Sequence, residues 1–173
     1  MSAPDLDVID PTFVDDLRAS DPARWLVARW IVSNGHTVIV PPIRIRPFAA
    51  VRGDYADRFD LLILDSPDRL IKLDAVGVYG VEVKHRTSLD FSGRGDFPFG
   101  SIIVDHAAAY DHKSPKPFAY VILSASLRHA AIVPCSTFPE WTREPLPARG
   151  RVRDHYFCPL DLVDWYDVPE VPA

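Results

Sequence analysis

An α/β protein with a mixed central sheet flanked by helices is the fold class this sequence predicts, and three observations carry the expectation. Trp25, Leu26, Ala28, Arg29, Ile31 and Val32 recur with helical period. Three apolar runs follow in succession, around residues 36–45, 59–65 and 77–85. A second helical stretch, Ile102–His112, then separates them from the buried-strand run Phe118–Ala125. Consecutive strands, a crossover helix and a further strand fit an α/β sandwich around a mixed sheet.

Taken in order, residues 1–20 read as an acidic N-terminal arm rich in Asp and Pro, with a short helical turn at Thr12–Arg18. Asp21-Pro22 predicts a helix start, Asp at the N-cap and Pro at the first helical position, and Asn34-Gly35 predicts its stop. His36–Ile45 is the first strand, with Pro41-Pro42 marking an edge or a bend. Residues 46–57 form a loop rich in Arg and Asp. Phe59–Asp65 is the second strand, Ser66–Asp68 a turn, Leu70–Leu73 a continued ribbon and Gly77–His85 the third strand. Thr87–Gly100 holds three glycines and no clear period, so a long loop is expected there. Ala130–Pro134 predicts one more strand. The division that follows is an arm at 1–20, a core at 21–135 and a Pro/Trp-rich C-terminal extension at 136–173 packing on that core.

A length of 173 residues predicts one domain able to bury a conventional core, and 47 % apolar with 25 % charged residues is ordinary for a globular protein. No stretch approaches the roughly 20 apolar residues of a membrane span. The start, Met1-Ser2-Ala3-Pro4-Asp5, lacks the basic and apolar segments of a signal peptide, so a cytoplasmic location and no membrane partner are expected. Cys135 and Cys158 form no disulfide framework and lack metal-site spacing. The net charge of −5 argues against a nucleic-acid partner only until its distribution is read. Residues 1–24 carry six Asp against two Arg, and residues 154–173 carry five acids and no Lys or Arg. Residues 25–153 therefore hold 17 basic and 13 acidic side chains, a net of +4. Acidic ends around a mildly basic centre suit a protein that touches phosphate with one face.

The chemistry-bearing signal is Val81-Glu82-Val83-Lys84. In a strand, Glu82 and Lys84 share one face while Val81 and Val83 pack on the other. Ionised groups in a buried strand are costly unless paired, hydrated or bound to metal. The chain has 20 Asp but four Glu, and 15 Arg but four Lys, so this strand uses the rarer acid and the rarer base. Asp60, at the head of the apolar run Leu61–Leu64, brings a second carboxylate if its strand is a neighbour. Two acids holding a hard cation, with a lysine beside them, outline a phosphodiester-cleaving site.

The order helix, three strands, helix, strand, with an acid on the second strand and Glu-x-Lys on the third, resembles the PD-(D/E)XK nuclease superfamily over about residues 21–134. That resemblance implies a restriction-endonuclease-like α-β-β-β-α-β core and a Mg²⁺-dependent endodeoxyribonuclease, with Mn²⁺ able to substitute. It places Asp60, Glu82 and Lys84 as catalytic residues. Asp60, Glu82 and the Val83 backbone carbonyl become the metal ligands. DNA is the implied partner, RNA stays open, and paired cuts favour a homodimer. Phe59 stands where the family has a proline, and the first helix offers Asp21 in place of the family's helical Glu. A second reading keeps the fold as a non-catalytic nucleic-acid-binding or assembly module. A third is a structural or interaction protein with a fortuitous Glu-x-Lys, in which Asp60, Glu82 and Lys84 form only a structural ion pair.

Other residues are weighed beside these. Asp57 competes with Asp60, with a solvated loop acid as its plainer role. Arg86, after His85, and Arg94, among Gly93, Gly95 and Gly100, are candidate substrate contacts. For Phe97 and Phe99 the plainer role is core packing. Asp105, His106, Tyr110, Asp111 and His112 lack ligand spacing and are expected on a helix's polar face. Arg149, Arg151 and Arg153 alternate like a phosphate-tracking or a solvated strand face. The four tryptophans read as core or interface anchors. Walker, dinucleotide, G-x-S-x-G and HExxH motifs are missing, which removes those enzyme classes.

Overall fold

The computed structural model describes residues 11–43, 59–64, 78–148 and 151–170, with backbone alone for 11–19, 148 and 151. Expectations for the arm before residue 11, the loop at 46–57 with Asp57, the ribbon at Leu70–Leu73 and Arg149 lie outside the described residues.

Helix α1 runs Pro11–Ser33 without a break, so Asp21-Pro22 is not its start. Pro22 sits inside the helix, where its missing N–H removes one backbone bond, a cost that tertiary packing outweighs. That packing comes from Ala23, Val27 and Ala28, all buried against the sheet. The predicted stop is present: Gly35 takes φ +87°, its N–H donates to the Val32 carbonyl at 2.9 Å, and Asn34 Nδ2 donates to the Trp30 carbonyl at 2.9 Å.

A six-stranded mixed sheet follows. Its strands are β1 (Thr37–Ile39), β2 (Leu61–Leu64), β3 (Val78–His85), β5 (Ala119–Leu123), β6 (His129–Pro134) and β9 (Asp164–Asp167), in that spatial order. β2 runs antiparallel to both of its neighbours, β1 and β3, and β3 is parallel to β5. A second sheet, in the order β4 (Ser101–His106), β8 (Arg151–Pro159), β7 (Thr142–Ala148), covers one face. Helix α1 covers the other. Val81 and Val83 join Val27, Leu61, Val121 and Leu123 under α1, while Tyr120 and Ile122 join Ile102, Val104, Tyr156 and Cys158 under the second sheet.

Two expectations are corrected here. Residues 102–112 are not one helix: Ser101–His106 is strand and only Ala107–His112 is helix α2. Ile102, Ile103 and Val104 are β-branched, and the segment pairs with β8 on either side of Val104, which outweighs the helical period. The C-terminal stretch is also sheet. β8 contributes Tyr156 and Cys158 to the core and β9 extends the main sheet beside β6, so 136–170 is built into both layers.

Candidate active site

The site begins with register. Leu61 pairs with Val81, and one further step sets Asp60 across from Glu82. Beyond the end of β2 the Val83 N–H lacks a strand carbonyl on that side, and Asp60 Oδ2 accepts it at 2.8 Å. Glu82 pairs with Tyr120 and Lys84 with Ile122 across the parallel ladder, so both charged side chains stand on the face turned away from α1. The two strands thus set Glu82 and Lys84 on one face, with Asp60 near enough to Glu82 for their charges to interact.

A β-bulge completes the arrangement. On β4, Ile103 pairs with Phe157 and Asp105 with the next residue back, Tyr156, so Val104 is the extra residue. Both Val104 and Asp105 are therefore buried in succession, where an unbroken strand would have turned one outward. Asp105 meets Lys84 Nζ at 3.3 Å, Lys113 Nζ at 3.2 Å and the Tyr120 hydroxyl at 2.8 Å, and its own neighbour's N–H, that of His106, at 2.9 Å. Lys113, just past α2, also donates to Glu82 Oε2 at 2.9 Å. Both ammoniums lie over the Tyr120 ring, 5.8 Å for Lys84 and 5.5 Å for Lys113.

Arg24 supports the first acid from the opposite layer. Only 4 % exposed, it donates through Nη2 to the Asp60 carbonyl at 3.0 Å, and its buried Nε faces Asp60 Oδ1 at 3.5 Å, an ion pair rather than a hydrogen bond. A hollow of about 290 Å³ opens beside Arg24 against Val40–Ile43.

Electrostatics follow from this crowding. Burial pushes the Glu82 carboxyl above the ordinary range, Lys113 pulls it back, and the nearby Asp60 charge pushes it further up. Burial would raise Asp105 too, but the Lys84 and Lys113 ammoniums and the Tyr120 hydroxyl outweigh it and hold the carboxyl low. For Lys113, burial opposes the charge, and Glu82 with Asp105 overcomes it, keeping the ammonium protonated. Burial raises the Cys135 thiol to about 12 and the Cys158 thiol as well, so both free cysteines are protonated and unreactive at neutral pH.

Of the predicted substrate contacts, Arg86 is half-buried and donates through Nη2 to the Ile103 carbonyl at the bulge, 2.6 Å away. Arg94 is exposed on a loop tied by the Asp96 carboxylate, which accepts the N–H groups of Ser92 and Gly93. Phe97 packs against Phe91 and Trp165, while Phe99 is 60 % exposed. Arg153 is exposed on β8. Asp111 accepts the Tyr156 hydroxyl at 2.9 Å, the His112 ring contacts the Ala108 carbonyl, and His106 enters the cluster through its backbone N–H while its ring packs on His155. Trp141 is a core anchor and Trp25 is exposed.

Arg24, Lys113 and Tyr120 went unrecognised from sequence, and Asp105, expected on a helix's polar face, is instead buried on β4. Two carried a readable signal. Lys113 is one of only four lysines, and Asp105 closes an apolar run as Asp60 opens one. No protein-family model, curated protein or solved structure matches the chain. Among the described residues no helix is long and apolar enough to cross a membrane.

Proposed function

We propose that this chain is a divalent-metal-dependent nuclease hydrolysing phosphodiester bonds, with DNA as its substrate and a restriction-endonuclease-like core. The observation that carries the reading is that Asp60, at the head of β2, lies close enough to Glu82 on β3 for their charges to interact, with Lys84 one pleat further along β3. Three antiparallel strands joined through a crossover to a strand parallel with the third support the finer fold reading.

The donor set suits a small hard cation. Mg²⁺ takes one or two carboxylates from a protein and keeps several waters. Asp60 and Glu82 would hold it, and among the described residues no three His, Cys, Asp or Glu side chains converge on one point. Such a cation supplies charge stabilisation at the attacked phosphate and a more acidic water beside it. The chain's own groups do the positioning. Arg24 and the Val83 N–H fix both oxygens of Asp60. Asp105 holds the Lys84 ammonium at the mouth of the cluster, where it orients the attacking water or meets charge developing on the phosphate. Water adds to phosphorus, the P–O bond to one sugar breaks, and the leaving oxygen takes a proton. Arg94 and Arg153 stand exposed for backbone phosphates. A two-fold dimer in the cytoplasm would suit cuts on both strands.

A second reading, a nucleic-acid-binding or assembly module without chemistry, is favoured by one observation: Glu82 and Lys84 are each already paired within the chain. The test is an assay on plasmid, linear, branched and single-stranded DNA with and without Mg²⁺, run beside Glu82→Gln. Metal-dependent cleavage lost in Glu82→Gln is the expected result. Binding without turnover selects the second reading, and neither binding nor cleavage removes both.

A further inference from the structure

Glu82, the acid on which cleavage would depend, is already bonded to a cation of the chain itself. We propose that Lys113 is a built-in competitor for Glu82: it occupies that carboxylate in the resting protein and withdraws onto Asp105 when a divalent cation binds. The inference rests on the nuclease reading above and assigns Lys113 a role that reading leaves open.

The geometry carries it. Lys113 Nζ stands between two anions, 2.9 Å from Glu82 Oε2 and 3.2 Å from Asp105 Oδ2. The lysine and Glu82 side chains are 17 % and 10 % exposed, so neither is simply solvated when it loses its partner. A buried ammonium with a single carboxylate would be stranded once that carboxylate turned to a metal, at a large cost. Lys113 is not in that position. Leaving Glu82 still keeps it on Asp105 and over the Tyr120 ring. Asp105 is itself fixed by the Tyr120 hydroxyl at 2.8 Å and by the His106 N–H at 2.9 Å, so it is a stationary second berth.

A ligand that must displace an internal partner binds with an affinity reduced by the fraction of molecules in which its site is free. Removing the competitor therefore tightens cation binding. Removing its second berth does the opposite, because Asp105→Asn leaves Lys113 only Glu82 to pair with. Opposite signs for two neighbouring substitutions separate competition from a purely structural network, in which both changes loosen the site and weaken binding alike.

The experiment is Mn²⁺ binding to the full chain at pH 8 without nucleic acid, followed by the electron paramagnetic resonance of free Mn²⁺, with folding checked by circular dichroism. Lys113→Met is expected to bind about tenfold more tightly than wild type and Asp105→Asn about tenfold more weakly. Lys113→Gln replaces Lys113→Met if the latter does not fold. Equal or weaker binding by the Lys113 variants overturns the competitor role, while the nuclease reading stands if wild type binds Mn²⁺ and Glu82→Gln does not. No Mn²⁺ binding by wild type or any variant overturns both.

Discussion

Glu82 is where influences of opposite sign meet. Burial and Asp60 favour its neutral form, and Lys113 favours the carboxylate. Lys84 lies one pleat away, yet its direct partner is Asp105 rather than Glu82. Its ammonium is therefore held by a group outside the donor pair and stays directed at the cluster's edge, where its side chain is 31 % exposed. If that placement serves the transition state, Lys84→Ala lowers turnover by on the order of a hundredfold with little change in substrate affinity. Lys84→Arg does not restore it, because a planar guanidinium cannot reproduce a compact point charge. Single-turnover rates and binding curves for the three proteins check this. An arginine variant with normal turnover would reduce Lys84 to an ion-pair partner of Asp105.

At the scale of elements, β3 sorts its two faces by chemistry. Val81 and Val83 pack under α1, and Glu82 and Lys84 face the second sheet. The same strand also sets the position of Asp60 through Gly80. A Cβ at Gly80 would overlap the ring of Phe59, the buried residue immediately before Asp60. Gly80→Ala should therefore push Phe59 off the strand and carry Asp60 away from Glu82. The expected cost is about 1–3 kcal/mol of stability from overpacking, with a loss of cleavage larger than that destabilisation explains. Urea unfolding beside a nuclease assay tests it, and an active, fully stable Gly80→Ala protein would show that Phe59 does not position the acid. The bulge on β4 has the parallel task on the other side, since it turns Asp105 inward beside Val104.

For the whole molecule, the main sheet separates two apolar cores, and the charged cluster lies between the sheet and the β4–α2 layer. Asp105 ties those layers together by ion pairs to Lys84 on β3 and Lys113 after α2. Its carboxyl is held below the ordinary value, so by linkage its stabilisation is complete above the usual Asp pKa of about 3.9 and is lost as pH falls through the lower folded value. Asp105→Asn takes that partner from the part-exposed Lys84 and the part-buried Lys113 and should cost about 3 kcal/mol at neutral pH. The gap between wild type and variant should then narrow as pH is lowered below about 4. Urea midpoints measured from pH 7 to pH 3 provide the check, and a gap constant with pH would remove Asp105 from the acid response.

What the sequence determined by itself was local and periodic. Alternation of Val81-Glu82-Val83-Lys84 was enough to put one acid and one lysine on a common face, and Asn34-Gly35 was enough to end α1, because each depends on backbone geometry within a few residues. The central strands were legible for the same reason, as short apolar runs bounded by turn residues. Tertiary structure decided the rest. Pro22 proved tolerable inside α1 because burial of Ala23 and Val27 outweighs one lost bond. Ser101–His106 became strand because β8 offered it a ladder, a partner some 50 residues away that no window on 102–112 contains. Lys113 and Asp105 entered the cluster by the same route, through a bulge and a crossover that bring charges together only after the sheets have formed. Opposite charges attract at any sequence separation, so their pairing is set by where the fold puts them and leaves no period in the chain to read.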